Sequence, residues 1–315
     1  MVQCFSKVGV VKFSLVLSLA LSAACGGSQD SGAASEYSGI ENSFDKKEGA
    51  QHPPTEPAII STQPVEGVDI AALDGELATR FTALLDSLPS PCAKAHSLRT
   101  SRNEDSSCKR APYAVSYSYE LVKDGATDDE VKELYRLRFR DTPTQHFRYE
   151  SSAPHAGALN APVKIVEFFD YGCPACARFH PLLESVAADM KGDVVIYFKQ
   201  FPLSSHKDSP GAAQAALAAH KQGKFGQMHL MLFEHQHEHL MVNLVDYAKE
   251  IGLDMPKFRQ DYIEAEALVK ADRAEGERVG VNGTPAVYIN GREYEGPAHA
   301  KYFKMWVQEA REGAI

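Results

Sequence analysis

No segment of this sequence gathers lysine and arginine into a basic block, and the formal net charge is −9. Phosphate binding needs basic surface, so nucleic acid is excluded as a partner. No G-x-G-x-x-G fingerprint and no P-loop occur, so no nucleotide cofactor is implied. No run reaches the 18 apolar residues of a membrane-spanning helix. Cysteine is scarce, at six in 315 residues, which makes each position informative.

The first stretch with a pattern is the N-terminus. Lys7 and Lys12 precede an apolar run, FSLVLSLALSAA, from Phe13 to Ala24. It is too short to span a bilayer but suits the core of a signal peptide. Small residues then lead into Cys25. LSAAC resembles a bacterial lipoprotein lipobox, with Ser22 in a place that usually holds Leu. The resemblance implies a signal peptide over residues 1–24, cleavage before Cys25, lipid on its thiol and a periplasmic, membrane-anchored protein. Which membrane holds the anchor stays open. The alternative is an ordinary secretory signal that leaves Cys25 a free thiol.

With Cys4 in the signal and Cys25 lipidated, two possible pairs remain: Cys92 with Cys108, and Cys173 with Cys176. An even remainder fits an exported protein.

Residues 25–66 are rich in Gly, Ser, Gln, Glu and Pro. They hold too little apolar surface to order themselves and read as a disordered tether. Residues 67–150 read as a small three-helix module. Leu73, Leu77, Phe81, Leu84, Leu85 and Leu88 recur at helical spacing until Pro89 and Pro91 stop them. A second helix runs from Pro112 to Lys123. A third begins at Thr127 with a capping box to Glu130.

Residues 155–315 alternate differently. VKIVEFF (163–169) and VVIYFKQF (194–201) read as buried strands. A helix spans 173–190 between them, and a long helical stretch covers about 205–279. A strand–turn–strand unit (286–296) and an amphipathic helix (298–312) follow. The class is α/β, with an inserted helical block.

The motif Cys173-Pro174-Ala175-Cys176 follows a strand and opens a helix. Alone, C-x-x-C is half a zinc site, a redox pair or chance. No second C-x-x-C exists, and His180 and His206 lack matching spacing, so no metal is assigned. A sulfur at a helix start meets unpaired N–H groups and the positive end of the dipole, which favour the thiolate. Cys173 is therefore expected to be exposed and to attack, and Cys176 to be buried and to resolve the mixed disulfide.

VEFFDYGCPACARFH and GVNGTPAVYINGREYEG together resemble the DsbA-type branch of the thioredoxin superfamily. The likeness covers about half of the chain. It implies a thioredoxin fold with an inserted helical block and no cofactor. It implies a cis proline at Pro285, with Thr284 and Pro285 presenting backbone to an extended substrate. It also implies a buried acid at Glu167, relaying the proton of Cys176. The alternative for Glu167 is a strand-edge residue facing solvent; Asp170 has a weaker claim. The partners implied are cysteine-containing exported proteins and an unidentified redox partner. Ala175 stands where strongly oxidising relatives carry His, so a potential between thioredoxin and DsbA is expected.

Cys92 and Cys108 flank a polar loop and are expected to form a structural disulfide or a second redox pair. Residues 108–139 loosely resemble the helical domain of CcmH-type cytochrome c maturation proteins, although that family uses C-x-x-C. A reductase serving cytochrome c maturation is the runner-up reading. A non-catalytic peptide-binding module and a peroxide reductase are the others. His235 and His239 could share a helix face toward a metal. Lys199 is expected to be solvated, and Leu230, Leu232, Phe233 and Leu240 to form core.

Overall fold

The computed structural model describes residues 64–315. The signal peptide, Cys25 and nearly all of the tether lie outside the described residues.

The first helix, α1 (Gly75–Ser87), starts where the Asp74 side chain accepts from the Leu77 amide. It buries Phe81, Leu84 and Leu85. Next come α2 (Leu98–Asn103), α3 (Ala111–Lys123) and α4 (Asp128–Phe139). Thr127 and Glu130 form the reciprocal capping box of α4, which satisfies two otherwise unpaired amides. Helix α2 is an addition to the three expected helices. Five of its six residues are polar and Leu98 is its one apolar residue, so no apolar periodicity reveals it, and it is capped by the Ser97 side chain on Thr100.

A five-stranded sheet follows, in the order β1-β3-β2-β4-β5. Its strands are β1 (His155–Gly157), β2 (Val163–Phe169), β3 (Val194–Gln200), β4 (Ala286–Ile289) and β5 (Arg292–Glu293). Strands β2 and β3 run parallel, and every other pairing is antiparallel. The edge strand β1 was not expected, because HAG carries no strand-forming residue. Helix α5 (Pro174–Asp189) joins β2 to β3. The long helical stretch resolves into α6 (Ser209–Lys221), α7 (Phe225–Glu234), α8 (Met241–Glu250) and α9 (Met255–Arg278). Helix α10 (Ala300–Arg311) ends the fold.

Both faces of the sheet are covered. Ile165, Phe169, Ile196, Phe198, Val287 and Ile289 share one core with residues of α5 to α8 and α10. Val166, Phe168, Val195, Tyr197, Ala286 and Tyr288 share another with Phe147, Phe201 and Val281. This two-sided burial explains the continuous apolar runs of β2 and β3. Helix α9 meets the second face through Gly276, where an added Cβ would lie 2.7 Å from the Phe201 ring and 3.1 Å from Phe168.

The helices before the sheet have their own core, which Tyr302 of α10 enters. Glu309 of α10, wholly buried, joins Arg110 at 2.7 Å and Arg138 at 2.8 Å. The Arg138 guanidinium lies 4.4 Å from the centre of the Tyr117 ring. The C-terminal helix therefore belongs to both cores.

Two expectations are corrected here. Lys199 is buried on β3 and lies 3.3 Å from Asp272 and 3.0 Å from Glu275, both on α9. Its period-2 position faces the second core, so its charge is matched internally. Leu230 and Leu240 are exposed, while Leu232 and Phe233 are core. Helix α7 buries one stripe only, and Leu240 lies beyond its end.

Candidate active site

Strand β2 delivers a turn, Asp170 to Gly172, that hands the chain to α5. Cys173 is the N-cap of α5 and Pro174 opens the helix, where a missing N–H costs nothing. The buried Asp170 holds the turn. Its backbone carbonyl accepts from the Cys173 amide at 3.0 Å. Its carboxylate accepts from Gly172 N at 2.7 Å and from Leu203 N at 2.8 Å, and pairs with His206 Nδ1 at 2.7 Å. At Gly172 an added Cβ would sit 2.6 Å from Ser209 Oγ and 3.1 Å from the His206 side chain, so a larger residue would have to displace both. From the inserted helical block, Gln236 Nε2 donates to the carbonyls of Tyr171 (2.8 Å) and Cys173 (3.0 Å). Sequence reasoning undervalued Asp170 and missed Gln236. The only sign of either was a polar residue in or near a loop.

The Cys173 sulfur donates to the Thr284 carbonyl at 3.3 Å. The Thr284–Pro285 peptide bond is cis. Thus Cys173, Cys176, Thr284 and Pro285 are gathered in one place from distant parts of the chain. The expectation that Cys173 is exposed is corrected: it is buried, at 7% exposed against 0% for Cys176.

The two thiols have opposite acidities. The pKa of Cys173 is lowered to about 5, which makes it the more acidic thiol. The largest cause is the hydrogen bond from the Cys176 thiol; Thr284 and the amides of Cys176 and Ala175 add to it, and burial opposes it. Among the described residues, the buried Thr284 hydroxyl has no partner while Cys173 is a thiol, which leaves it available to donate once the sulfur ionises. Burial, chiefly, holds Cys176 well above the ordinary thiol range. One sulfur is thus a stable thiolate near neutral pH and the other is kept protonated.

Glu167 sits in mid-β2, opposite Phe198 of β3 and Val287 of β4. It is 0% exposed, and among the described residues neither carboxylate oxygen has a partner. Burial alone raises its pKa to about 8. Its charge is felt by Cys176 and by the phenol of Tyr171.

Cys92 and Cys108 form a disulfide, with Cα atoms 5.7 Å apart, on either side of α2. His235 caps α7 and stacks on Tyr247. His239 lies past the helix end and pairs with the Leu232 carbonyl at 2.8 Å. The two histidines therefore do not share a helix face. Among the described residues, no group of three His, Cys, Asp or Glu side chains is placed to hold a metal ion. Nor is any helix long and apolar enough to cross a membrane.

This strand–turn–helix, with its C-x-x-C facing a cis-proline segment, defines a thioredoxin-type domain. A family model described as thioredoxin (Thioredoxin_4) matches residues 150–309, just over half of the chain, and the chain belongs to that family. Among solved structures, it is similar to a thioredoxin-like oxidoreductase from Silicibacter pomeroyi DSS-3, with 29% identity and a TM-score of 0.47, covering 52% of this chain and 94% of that one. BdbD from Bacillus subtilis is similar at 26% identity and a TM-score of 0.46, covering 51% and 94%. Among curated proteins, the Na(+)/H(+) antiporter NhaA 1 of Mycobacterium sp. (strain KMS) is 31% identical over 190 residues, 59% of this chain. The match spans 30% of that protein's length.

Proposed function

We propose that this protein is an extracytoplasmic thiol–disulfide oxidoreductase that exchanges disulfides with exported, cysteine-containing proteins. The observation that carries the reading is the pairing of an acidic Cys173 thiol, seated against Thr284, with a buried and protonated Cys176. Lipid on Cys25 would hold the protein to a membrane.

When the substrate holds the disulfide, the Cys173 thiolate attacks one of its sulfurs. The substrate S–S bond breaks and the other substrate sulfur leaves as thiolate. Thr284 and Pro285 hold the substrate backbone. Cys176 then gives its proton to Glu167 and attacks the Cys173 sulfur. A Cys173–Cys176 disulfide forms, and the second substrate sulfur departs. The substrate is reduced by two electrons and the enzyme is oxidised by two. Run backward, the same steps place a disulfide in a dithiol substrate. A partner dithiol or disulfide resets the enzyme, and its potential sets the direction.

The test is capture. A Cys176→Ala variant should accumulate mixed disulfides on Cys173 with exported proteins, identified by mass spectrometry after thiol quenching. Absence of reducible adducts, together with no exchange between the wild-type protein and glutathione, would overturn the reading.

A further inference from the structure

The segment EHQHEH, residues 234–239, takes no part in the exchange steps described above. It forms a turn between α7 and α8, and the turn is pinned on both sides. Within it, Glu238 N donates to the His235 carbonyl at 2.9 Å. Toward α7, His239 Nε2 lies 2.8 Å from the Leu232 carbonyl. A carbonyl only accepts, so this nitrogen carries the hydrogen. His239 is buried, and burial favours its neutral form. Toward α8, the Tyr247 hydroxyl donates to the Glu238 carbonyl at 3.1 Å, and its ring stacks on His235 at 5.2 Å. His235 and His239 thus frame the turn, and Gln236 is the residue that the frame presents.

Gln236 Nε2 reaches two carbonyls, that of Tyr171 at 2.8 Å and that of Cys173 at 3.0 Å. An amide nitrogen has two hydrogens, and here both are used. The Tyr171–Gly172 peptide is thereby held at both ends. Gln236 takes its oxygen, and the Asp170 carboxylate takes its N–H at 2.7 Å. The Cys173 carbonyl also accepts from Ala177 N at 3.2 Å, in the first turn of α5. One side chain of the helical block therefore fixes the peptide before Cys173 and the helix start after it. Satisfying the buried Tyr171 segment alone would need one of these bonds. The second falls on the residue that carries the nucleophile.

The consequence is electrostatic. The Cys173 sulfur ionises over the amides of Ala175 and Cys176. The carbonyl oxygens of Tyr171 and Cys173 are negative dipole ends in the same turn. The Gln236 hydrogens offset them, and such dipoles act strongly where water is excluded. We infer, on the oxidoreductase reading, that Gln236 is a positioning residue of the redox centre: it fixes the turn so that the α5 amides serve the Cys173 thiolate, which stabilises the reduced protein and makes it a stronger oxidant. The helical block thus sets the poise of a motif that lies outside it.

Gln236→Met keeps the length of the side chain and removes both donors. In the full chain, the Cys173 titration, followed by thiolate absorbance near 240 nm, should move up by about one unit. Exchange with glutathione supplies the second readout. Oxidised glutathione loses its S–S bond, the Cys173–Cys176 bond forms, and two glutathione thiols are released. Near pH 7 the equilibrium constant for this oxidation should rise about 10-fold, equal to a potential about 30 mV more negative. Gln236→Ala should move both quantities in the same direction, and it decides alone if Gln236→Met does not fold. A variant that is less stable in urea but keeps the wild-type titration or the wild-type equilibrium constant would reduce Gln236 to a structural residue and overturn the inference. A shift in the opposite direction would overturn it too. Failure of the wild-type protein to reach any equilibrium with glutathione would instead sink the oxidoreductase reading.

Discussion

The sulfur of Cys173 lies 3.3 Å from the carbonyl oxygen of Thr284, although 111 positions separate them in the chain. The nucleophile and the backbone that would receive substrate are thus one unit, assembled by β2 and β4 pairing side by side. The unpartnered Thr284 hydroxyl is the donor that the thiolate gains on ionising.

Thr284→Val should therefore raise the Cys173 pKa from about 5 toward the ordinary thiol value, by roughly one unit, since a hydrogen bond to the charged form is lost. Thiolate absorbance near 240 nm against pH measures it. The linked stability has a definite sign. The folded value is depressed below the unfolded one, so the contribution to the reduced protein is complete above about 9 and is lost as pH falls through about 5. Cys173→Ser should remove that pH dependence. An unchanged titration in Thr284→Val would show that the hydroxyl does not reach the sulfur.

Glu167→Gln should slow resolution by about 10–100-fold without slowing the first attack, because the buried base is gone. It should also stabilise the fold at alkaline pH. The folded value of Glu167, about 8, lies above the unfolded one near 4.5. The folded state then binds the proton more tightly, and stability falls as pH rises from about 4.5 to about 8. The amide carries no such penalty. Above pH 8 the variant should gain on the order of 1–3 kcal/mol, read by urea titration. Equal resolution rates across pH 5–9 would remove Glu167 from the proton path.

Replacing both Cys92 and Cys108 with Ala should cost about 3 kcal/mol in urea unfolding, from the added freedom of the unfolded chain. The ultraviolet titration of Cys173 should not move. A changed titration would instead favour a redox role for this second pair.

Glu309→Ala should be more damaging. It leaves the guanidiniums of Arg110 and Arg138 facing each other in a buried place, at a cost of about 3–5 kcal/mol. Because Glu309 joins the helices before the sheet to α10, thermal unfolding should also lose cooperativity between them. A melt unchanged in midpoint and width would show that the aromatic contacts of Arg138 suffice.

Much of the fold was legible because burial writes itself into residue pattern. Strands β2 and β3 are covered on both faces, so they read as continuous apolar runs. Thr127 and Glu130 marked the start of α4 through two side chains only three residues apart. Elements held by tertiary contact left no such mark. Strand β1 exists because the His155–Gly157 backbone pairs with β3. Lys199 looked like a surface residue, because Asp272 and Glu275 reach it from 73 and 76 positions away.

The amino-acid order alone determined the thioredoxin-type frame, the C-x-x-C at a helix start and the Thr-Pro partner, since each depends on neighbours within a few residues. Only the tertiary structure decided how deep Cys173 sits and that Glu167 stands, among the described residues, bare of partners. Those properties depend on which distant side chains exclude water from a given atom. No local pattern along the chain encodes that distance.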